Sequence, residues 1–139
     1  MMKTYQTEIT FKPKRRGFHL VTDEVLNSID IHTFSIGIAT LFIKHTSASL
    51  SINENADSSV RDDMEAFFSD TCDNKNYFTH TYEGSDDMPS HLKSTMIGSS
   101  ITIPITNGKF NLGIWQGIYL NEHRDYGDQR TIVVTVIGE

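Results

Sequence analysis

The run Ile132-Val133-Val134-Thr135-Val136-Ile137 is unbroken in β-branched residues. Two heavy substituents on each Cβ stiffen χ1 and suit a pleated strand better than a helix. A run with so little polar alternation is typical of a central strand. Arg130 to Ile137 therefore has to lie inside a sheet, and the remaining segments must supply its neighbours. Tyr5, Thr7, Ile9 and Phe11 alternate with polar residues as a half-buried strand does. Phe34 to Ile43 reads as a strand with Ile36, Ile38, Thr40 and Phe42 on one face and Gly37, Ala39, Leu41 and Ile43 on the other, both buried. Ser47 to Asn53 alternates again. Ile101, Ile103 and Ile105 share a face, Pro104 argues for an edge position, and Asn107-Gly108 is a strong hairpin signal. The return strand, Phe110 to Leu120, puts Gln116 on an otherwise apolar face. It sets Gly113, Trp115, Gly117 and Tyr119 on the other, which invites a packed neighbour.

Three helices are expected. Thr22 N-caps a short one to about Ile29, with Asp23 and Glu24 in its first turn and Val21 stapled onto Leu26. Val60, Met64, Phe67 and Phe68 mark an amphipathic helix from near Asp57 to the polar stretch at Ser69. Asp87-Met88-Pro89 starts the third, with Asp87 as N-cap, Met88, Leu92 and Met96 on the apolar side and Gly98 at the end. A turn at Pro13 to Gly17 and a loop from Tyr77 to Asp87 complete the reading.

At 139 residues the chain is expected to form one α+β domain with a buried core that needs no crosslink. Cys72, the only cysteine, excludes an intrachain disulfide or a CxxC knuckle and fits a reducing compartment. Met1 to Thr10 has no apolar leader core, and no run reaches the roughly 20 apolar residues of a membrane span, so a cytoplasmic protein is expected. A net charge of −6 disfavours nucleic acid and anionic membrane as partners.

Six histidines stand out. His45 continues the parity of Leu41 and Ile43, so its ring emerges at a buried strand end, either as a site group or as a core-edge ring bonded to backbone. The hydroxyls of Thr46, Ser47 and Ser49 give that turn a phosphate-compatible surround. Asp87 and His91 are one helical turn apart, so the carboxylate either orients the ring or simply caps the helix. Gln116 needs polar partners, from a ligand or from solvent at a bulge near Gly117. Glu122-His123-Arg124 brings a carboxylate, an imidazole and a guanidinium to a strand end, where such a tripeptide is usually a solvated turn. His80, in Tyr77-Phe78-Thr79-His80, is ambiguous; His19 and His32 read as structural or exposed. No phosphate-binding glycine loop, HExxH helix or nucleophile triad is present.

Four ordered blocks resemble the YjbQ family, the UPF0047 group, described as secondary thiamine-phosphate synthase. They are Arg16-Gly17-Phe18-His19-Leu20-Val21-Thr22-Asp23-Glu24-Val25; His45-Thr46-Ser47-Ala48-Ser49-Leu50 with Asn53-Glu54-Asn55; Asp86-Asp87-Met88-Pro89-Ser90-His91; and Leu112-Gly113-Ile114-Trp115-Gln116-Gly117 with Glu122-His123-Arg124. The resemblance runs from about Tyr5 to Gly138. It implies a single YjbQ-like domain over residues 1–139, built on a mixed, largely antiparallel sheet with about three short helices. It also implies a homotrimer with clefts between subunits, and a weak thiamine-phosphate synthase activity, generally regarded as secondary. That reaction joins hydroxymethylpyrimidine diphosphate to a thiazole phosphate and releases pyrophosphate.

Mapped by motif, the resemblance implies catalytic roles for His45, Asp87, His91 and Glu122, substrate contacts from Asn53, Gln116 and Arg124, and metal ligation by His45, His91 and His123. Glu122-His123-Arg124-Asp125 departs from the acidic-Gly-Pro-Arg segment of other branches. In an acidic protein the cation for a small phosphorylated metabolite is expected to be a divalent metal, Mg or Zn. A noncatalytic metabolite-binding or regulatory module in the same cleft is the alternative, and a metal-dependent hydrolase a third.

Overall fold

A computed structural model describes residues 1–139. The strands are β1 (Lys3–Phe11), β2 (Arg15–Leu20), β3 (Ile36–Ile43), β4 (Ala48–Glu54), β5 (Ser100–Thr106), β6 (Lys109–Phe110), β7 (Gln116–Tyr126) and β8 (Arg130–Gly138); the helices are α1 (Thr22–Leu26), α2 (Ser58–Cys72) and α3 (Asp87–Ile97). They form a five-stranded sheet in the order β1-β8-β3-β5-β6 and a three-stranded sheet in the order β2-β7-β4. Every pairing is antiparallel, so the expected mixed sheet is instead two antiparallel ones. The β-branched run holds the predicted interior place, hydrogen-bonded to β1 on one side and β3 on the other.

The core fills the space between the sheets. Ala39, Leu41, Ile43, Ile103, Ile105, Ile132, Val134 and Val136 from the larger sheet meet Ala48, Leu50, Ile118 and Leu120 from the smaller, and Val21, Val25, Ile31 and Phe34 close one end. Each buried aliphatic side chain contributes about 1.5–3 kcal/mol of transfer free energy, before the entropy of ordering it. The hairpin turns at Asn107-Gly108, whose φ values of 52° and 76° are the left-handed pair this turn requires.

Several expectations change. The other face of β3 is not buried in the protomer: Ile36, Ile38 and Phe42 are exposed, and Ile137 of β8 lies beside them. The return strand is broken, because Asn111 to Trp115 leaves the large sheet and β7 starts the second one at Gln116. Tyr119 is consequently buried. Gly117 packs so closely that a Cβ there would stand 2.6 Å from Leu20 Cδ2, and so the anticipated glycine-aromatic face does not form. Arg15 to Leu20 is a strand, although its basic start reads as a turn. Helix α1 is capped at Val21, not Thr22, and stops at Leu26; the Thr22 hydroxyl instead accepts from Ile118 N at 2.9 Å. Helix α2 does start after an Asp57 cap, which accepts from Ser59 N at 2.9 Å, but it passes Ser69 and ends at Cys72.

Helices α2 and α3 cover the outer face of the small sheet, and the seam beneath them is polar. The buried positions of α3 are Asp87, Pro89, Ser90 and Lys93, while Met96 of the expected apolar stripe is exposed. The β7 face below them presents Tyr119, Asn121 and His123. Lys93, fully buried, pairs with Asp73 at 3.0 Å, and Arg16 ties β2 to Glu65, Ser69 and Asp73 of the α2 region and to Asp125.

The two sheets are joined by a buried ion pair. Arg130 at the start of β8 donates Nε to Glu122 Oε1 at 2.7 Å and Nη2 to Glu122 Oε2 at 2.6 Å. Leaving either charge alone inside the fold typically costs about 3–5 kcal/mol, whereas replacing both by apolar groups is often neutral. Glu122→Ala should therefore lose about 3–5 kcal/mol in chemical denaturation, and adding Arg130→Met should recover most of that loss.

Candidate functional site

The turn from β3 to β4 and the first turns of α3 bring three of the predicted groups together, His45, Asp87 and His91, and Arg124 joins them from β7. Asp87 is the first residue of α3, with Asp86 in the cap position, and its buried side chain is turned into a cluster instead of capping the helix. His80 Nε2 lies 2.6 Å and His91 Nε2 3.0 Å from Asp87 Oδ2, and Arg124 Nη1 donates to Oδ1 at 2.7 Å. Burial pushes the Asp87 carboxyl up, but the bond from His80 and the charges of His91 and Arg124 outweigh it and hold the group below the usual carboxylate range. The same guanidinium donates to Asp86 Oδ2 at 2.9 Å and to the Glu83 carbonyl at 3.0 Å, clipping the 83–87 loop to β7. Arg124 therefore holds the carboxylate in place, and its guanidinium is already occupied by protein acceptors.

The bonding of His91 sets its chemistry. Nδ1 faces the Thr46 carbonyl at 2.9 Å, and since a carbonyl only accepts, Nδ1 carries the proton. The neutral ring then directs the Nε2 lone pair at a carboxylate oxygen, and only a cation satisfies both: an imidazolium proton or a metal ion. Metal-bound histidines commonly show this arrangement, one ring nitrogen on the metal and the other donating to a backbone carbonyl. The ligand atoms of His80, Asp87 and His91 all lie within 4.8 Å of one another. Two imidazoles and a carboxylate fit the known donor sets of catalytic zinc better than the all-oxygen preference of magnesium.

His45 and His91 line one open cleft of about 310 Å³, with Thr46, Ser94 and Thr95 on its walls. His45 Nε2 accepts from Thr131 N at 2.8 Å, so its free nitrogen bears a proton and offers a donor, not the lone pair a metal needs. Burial and the nearby Arg130 charge lower its pKa and keep the ring neutral.

Other predicted groups lie elsewhere. His123 is buried beneath the helices with Nε2 2.8 Å from Ser49 Oγ, outside the His80–Asp87–His91 cluster; Ser49 is likewise buried and does not line the cleft. Glu122 is committed to Arg130 and also accepts from Arg124 N at 3.1 Å. Asn53 and Gln116 sit at the far end of the β4–β7 ladder, five and six positions along from the Ala48–Glu122 pair, or about 17–20 Å. Both are exposed: Asn53 bonds Glu54 N, and Gln116 Oε1 accepts from Gly113 N at 2.7 Å, so solvent and local backbone satisfy the amide that seemed to need a ligand. His80 is the group sequence reasoning left unassigned. A loop has no periodicity, so only its place in an aromatic cluster seven residues before Asp87 hinted at it.

With the geometry in hand, kinship is clear. The family described as UPF0047 protein YjbQ-like matches residues 7–139. UPF0047 protein YjbQ of Escherichia coli O157:H7 is 51% identical over 136 residues, spanning 97% of this chain and 99% of that protein. The chain belongs to the YjbQ-like UPF0047 family. UPF0047 protein sll1880 of Synechocystis is 37% identical over 139 residues, covering 99% of this chain and 94% of its own. A YbjQ-like protein of unknown function from Sulfolobus solfataricus P2 has a solved structure that matches both chains over their full length, with a TM-score of 0.88 at 25% identity. A yjbq/upf0047 family protein from Clostridium acetobutylicum aligns over 92% of this chain and 97% of its own with a TM-score of 0.81 at 35% identity. The UPF0047 fold expected from the sequence blocks is thus the fold observed. No helix of this member is long and apolar enough to cross a membrane.

Burial lowers the His123 pKa to about 3, and the charges of Lys93 and Arg130 add to the effect. The folded state holds this ring neutral while the unfolded chain protonates it near pH 6.5, so its contribution is complete above pH 6.5 and is lost as pH falls toward 3. Below about pH 6 the ring alone should lower the unfolding free energy by up to about 1.4 kcal/mol per pH unit. His123→Gln should flatten that slope in urea titrations run between pH 6.5 and 4.

Proposed function

We propose that this chain is a metal-assisted small-molecule enzyme of phosphorylated substrates, with weak thiamine-phosphate synthase activity as the reaction it supports best. The observation that carries the reading is the His91 ring, its Nδ1 committed to the Thr46 carbonyl and its Nε2 aimed at the carboxylate it shares with His80. His80, Asp87 and His91 would hold the ion, which when bound supplies positive charge for phosphate oxygens in a protein of net charge −6. Zinc fits that donor set better than magnesium.

The chain's own residues do the rest. His45 offers an N–H to an anionic oxygen in the cleft, and Arg124 keeps Asp87 ionised and oriented. In the proposed reaction the thiazole nitrogen forms a C–N bond to the pyrimidine methylene. The methylene C–O bond breaks, and its electron pair leaves with pyrophosphate. No group on the chain has to become a covalent nucleophile, which agrees with Cys72 being buried and its thiol pushed up by burial.

Turnover of the two thiamine precursors, measured with zinc and after exhaustive chelation, tests the reading. His91→Ala should lower turnover about 100-fold and abolish stoichiometric zinc binding, while His45→Ala should lower turnover similarly and keep the zinc. The double variant should be scarcely slower than either single, because groups acting as a unit are non-additive. Full activity after chelation, or wild-type activity in folded His91→Ala, would overturn the proposal.

The same reading includes a homotrimer. Ile36, Ile38, Phe42 and Ile137 form an exposed apolar stretch on the outer face of the large sheet, the kind of surface that marks an interaction site. Light scattering at micromolar concentration should return three times the protomer mass, and a monomer mass would remove assembly from the account.

A further inference from the structure

The Asp87 cluster has two sides. His91 lines the cleft that holds His45, whereas His80 lines a different one, of about 260 Å³, together with Lys75, Phe78, Thr81, Ser85 and Met88. The clefts have no lining residue in common, yet the imidazoles that border them are only 5.4 Å apart, centroid to centroid, and share one carboxylate oxygen. A group resting against His80 and another resting against His91 would therefore approach the cluster from two separate clefts.

The second cleft has its own chemistry. Phe78 and Met88 offer an aromatic ring and a polarisable thioether, surfaces that pack well on a planar ring. Lys75 is half-buried at the wall. The neighbouring ion pairs run from Lys93 to Asp73 and from Arg124 to Asp86 and Asp87, and none engages Lys75. An uncommitted ammonium in a chain of net charge −6 makes this cleft locally suited to an anion, and the Thr81 and Ser85 hydroxyls stand beside it as further donors. A space of about 260 Å³ equals roughly nine waters, the bulk of a phosphorylated six-membered ring.

We propose that the His80 cleft is a separate subsite for the phosphate monoester of a planar ring, with Lys75 binding the phosphate and Phe78 and Met88 flanking the ring. The cluster would then lie between two reactants, each in its own cleft. Only that last step rests on the transferase reading above; the binding itself requires neither metal nor turnover.

Phenyl phosphate is a suitable probe, titrated calorimetrically into the full chain. Lys75→Met should weaken its binding about tenfold or more, and Met88→Trp, which fills the cleft, should abolish it, both with unchanged far-UV dichroism. Thr95→Trp, which fills the other cleft, should leave phenyl phosphate affinity unaltered. The subsite is overturned if phenyl phosphate shows no saturable binding up to millimolar concentration, if Lys75→Met binds as wild type does, or if Thr95→Trp is the variant that loses binding. Lys75-dependent binding in a chain that turns over neither thiamine precursor would keep the subsite and remove the proposed reaction, so the two failures are distinct.

Discussion

The Glu122–Arg130 pair is the constraint from which the rest of the site follows. It runs from β7 of the small sheet to β8 of the large one, so it fixes how the two sheets meet at that end. The guanidinium has a second duty, donating to the Ser47 hydroxyl at 2.9 Å and contacting the Ser47 carbonyl at 3.3 Å. The next residue, Thr131, gives its N–H to His45. The turn at residues 45–47 is thus held at both ends, and that turn supplies the carbonyl that sets the His91 tautomer. Glu122 also accepts from the N–H of Arg124, the residue that holds Asp87, so its carboxylate is tied to both the 45–47 turn and the Asp87 cluster through its neighbours. Buried ion pairs seldom add net stability over apolar replacements, but they impose registry, which is what a site assembled from two sheets needs.

The helices show the same economy of apolar packing. The fully buried aliphatic side chains all belong to the core between the sheets, and α3 rests on the small sheet through Ser90, Lys93 and a bond from Ser94 Oγ to the Ala48 carbonyl at 3.1 Å. Such a seam is specific in its partners, because a shifted helix would strand Lys93 away from Asp73. The position of His91 is inherited from that seam.

Periodicity carried the large sheet. β1, β3, β5, the Asn107-Gly108 hairpin and the central β8 were readable because each has one apolar face or a β-branched run. β2 and the second half of β7 were not, for a common reason. Arg16, Glu122, His123 and Arg124 are polar residues inside strands, and the groups that neutralise or bond them come from remote segments: Asp73, Arg130, Ser49 and Asp86. A local window reads such residues as solvated turns. The candidate site divides along the same line. Asp87 and His91 were legible as a one-turn pair and His45 as a strand-end ring, while His80 needed the loop to fold back. Asn53 and Gln116 sit at the wrong end of the ladder and, since Asn53 pairs with Gly117 and Gln116 with Glu54, on opposite faces of it.

The place of β8 in the sheet has a kinetic consequence. Lys3 lies opposite Gly138 and Ile43 opposite Ile132, so β1 and β3 flank a strand that is translated after both of them. Neither neighbour can complete its hydrogen bonds on that side while the chain is still being made, and the apolar inner faces of β1 and β3 wait exposed in the meantime. Closing loops of that length before any ladder forms places such a chain among slow, high-contact-order folders, on the millisecond-to-second scale. The nascent chain is consequently exposed to misassociation until β8 inserts, a vulnerability that belongs to synthesis and not to the finished fold.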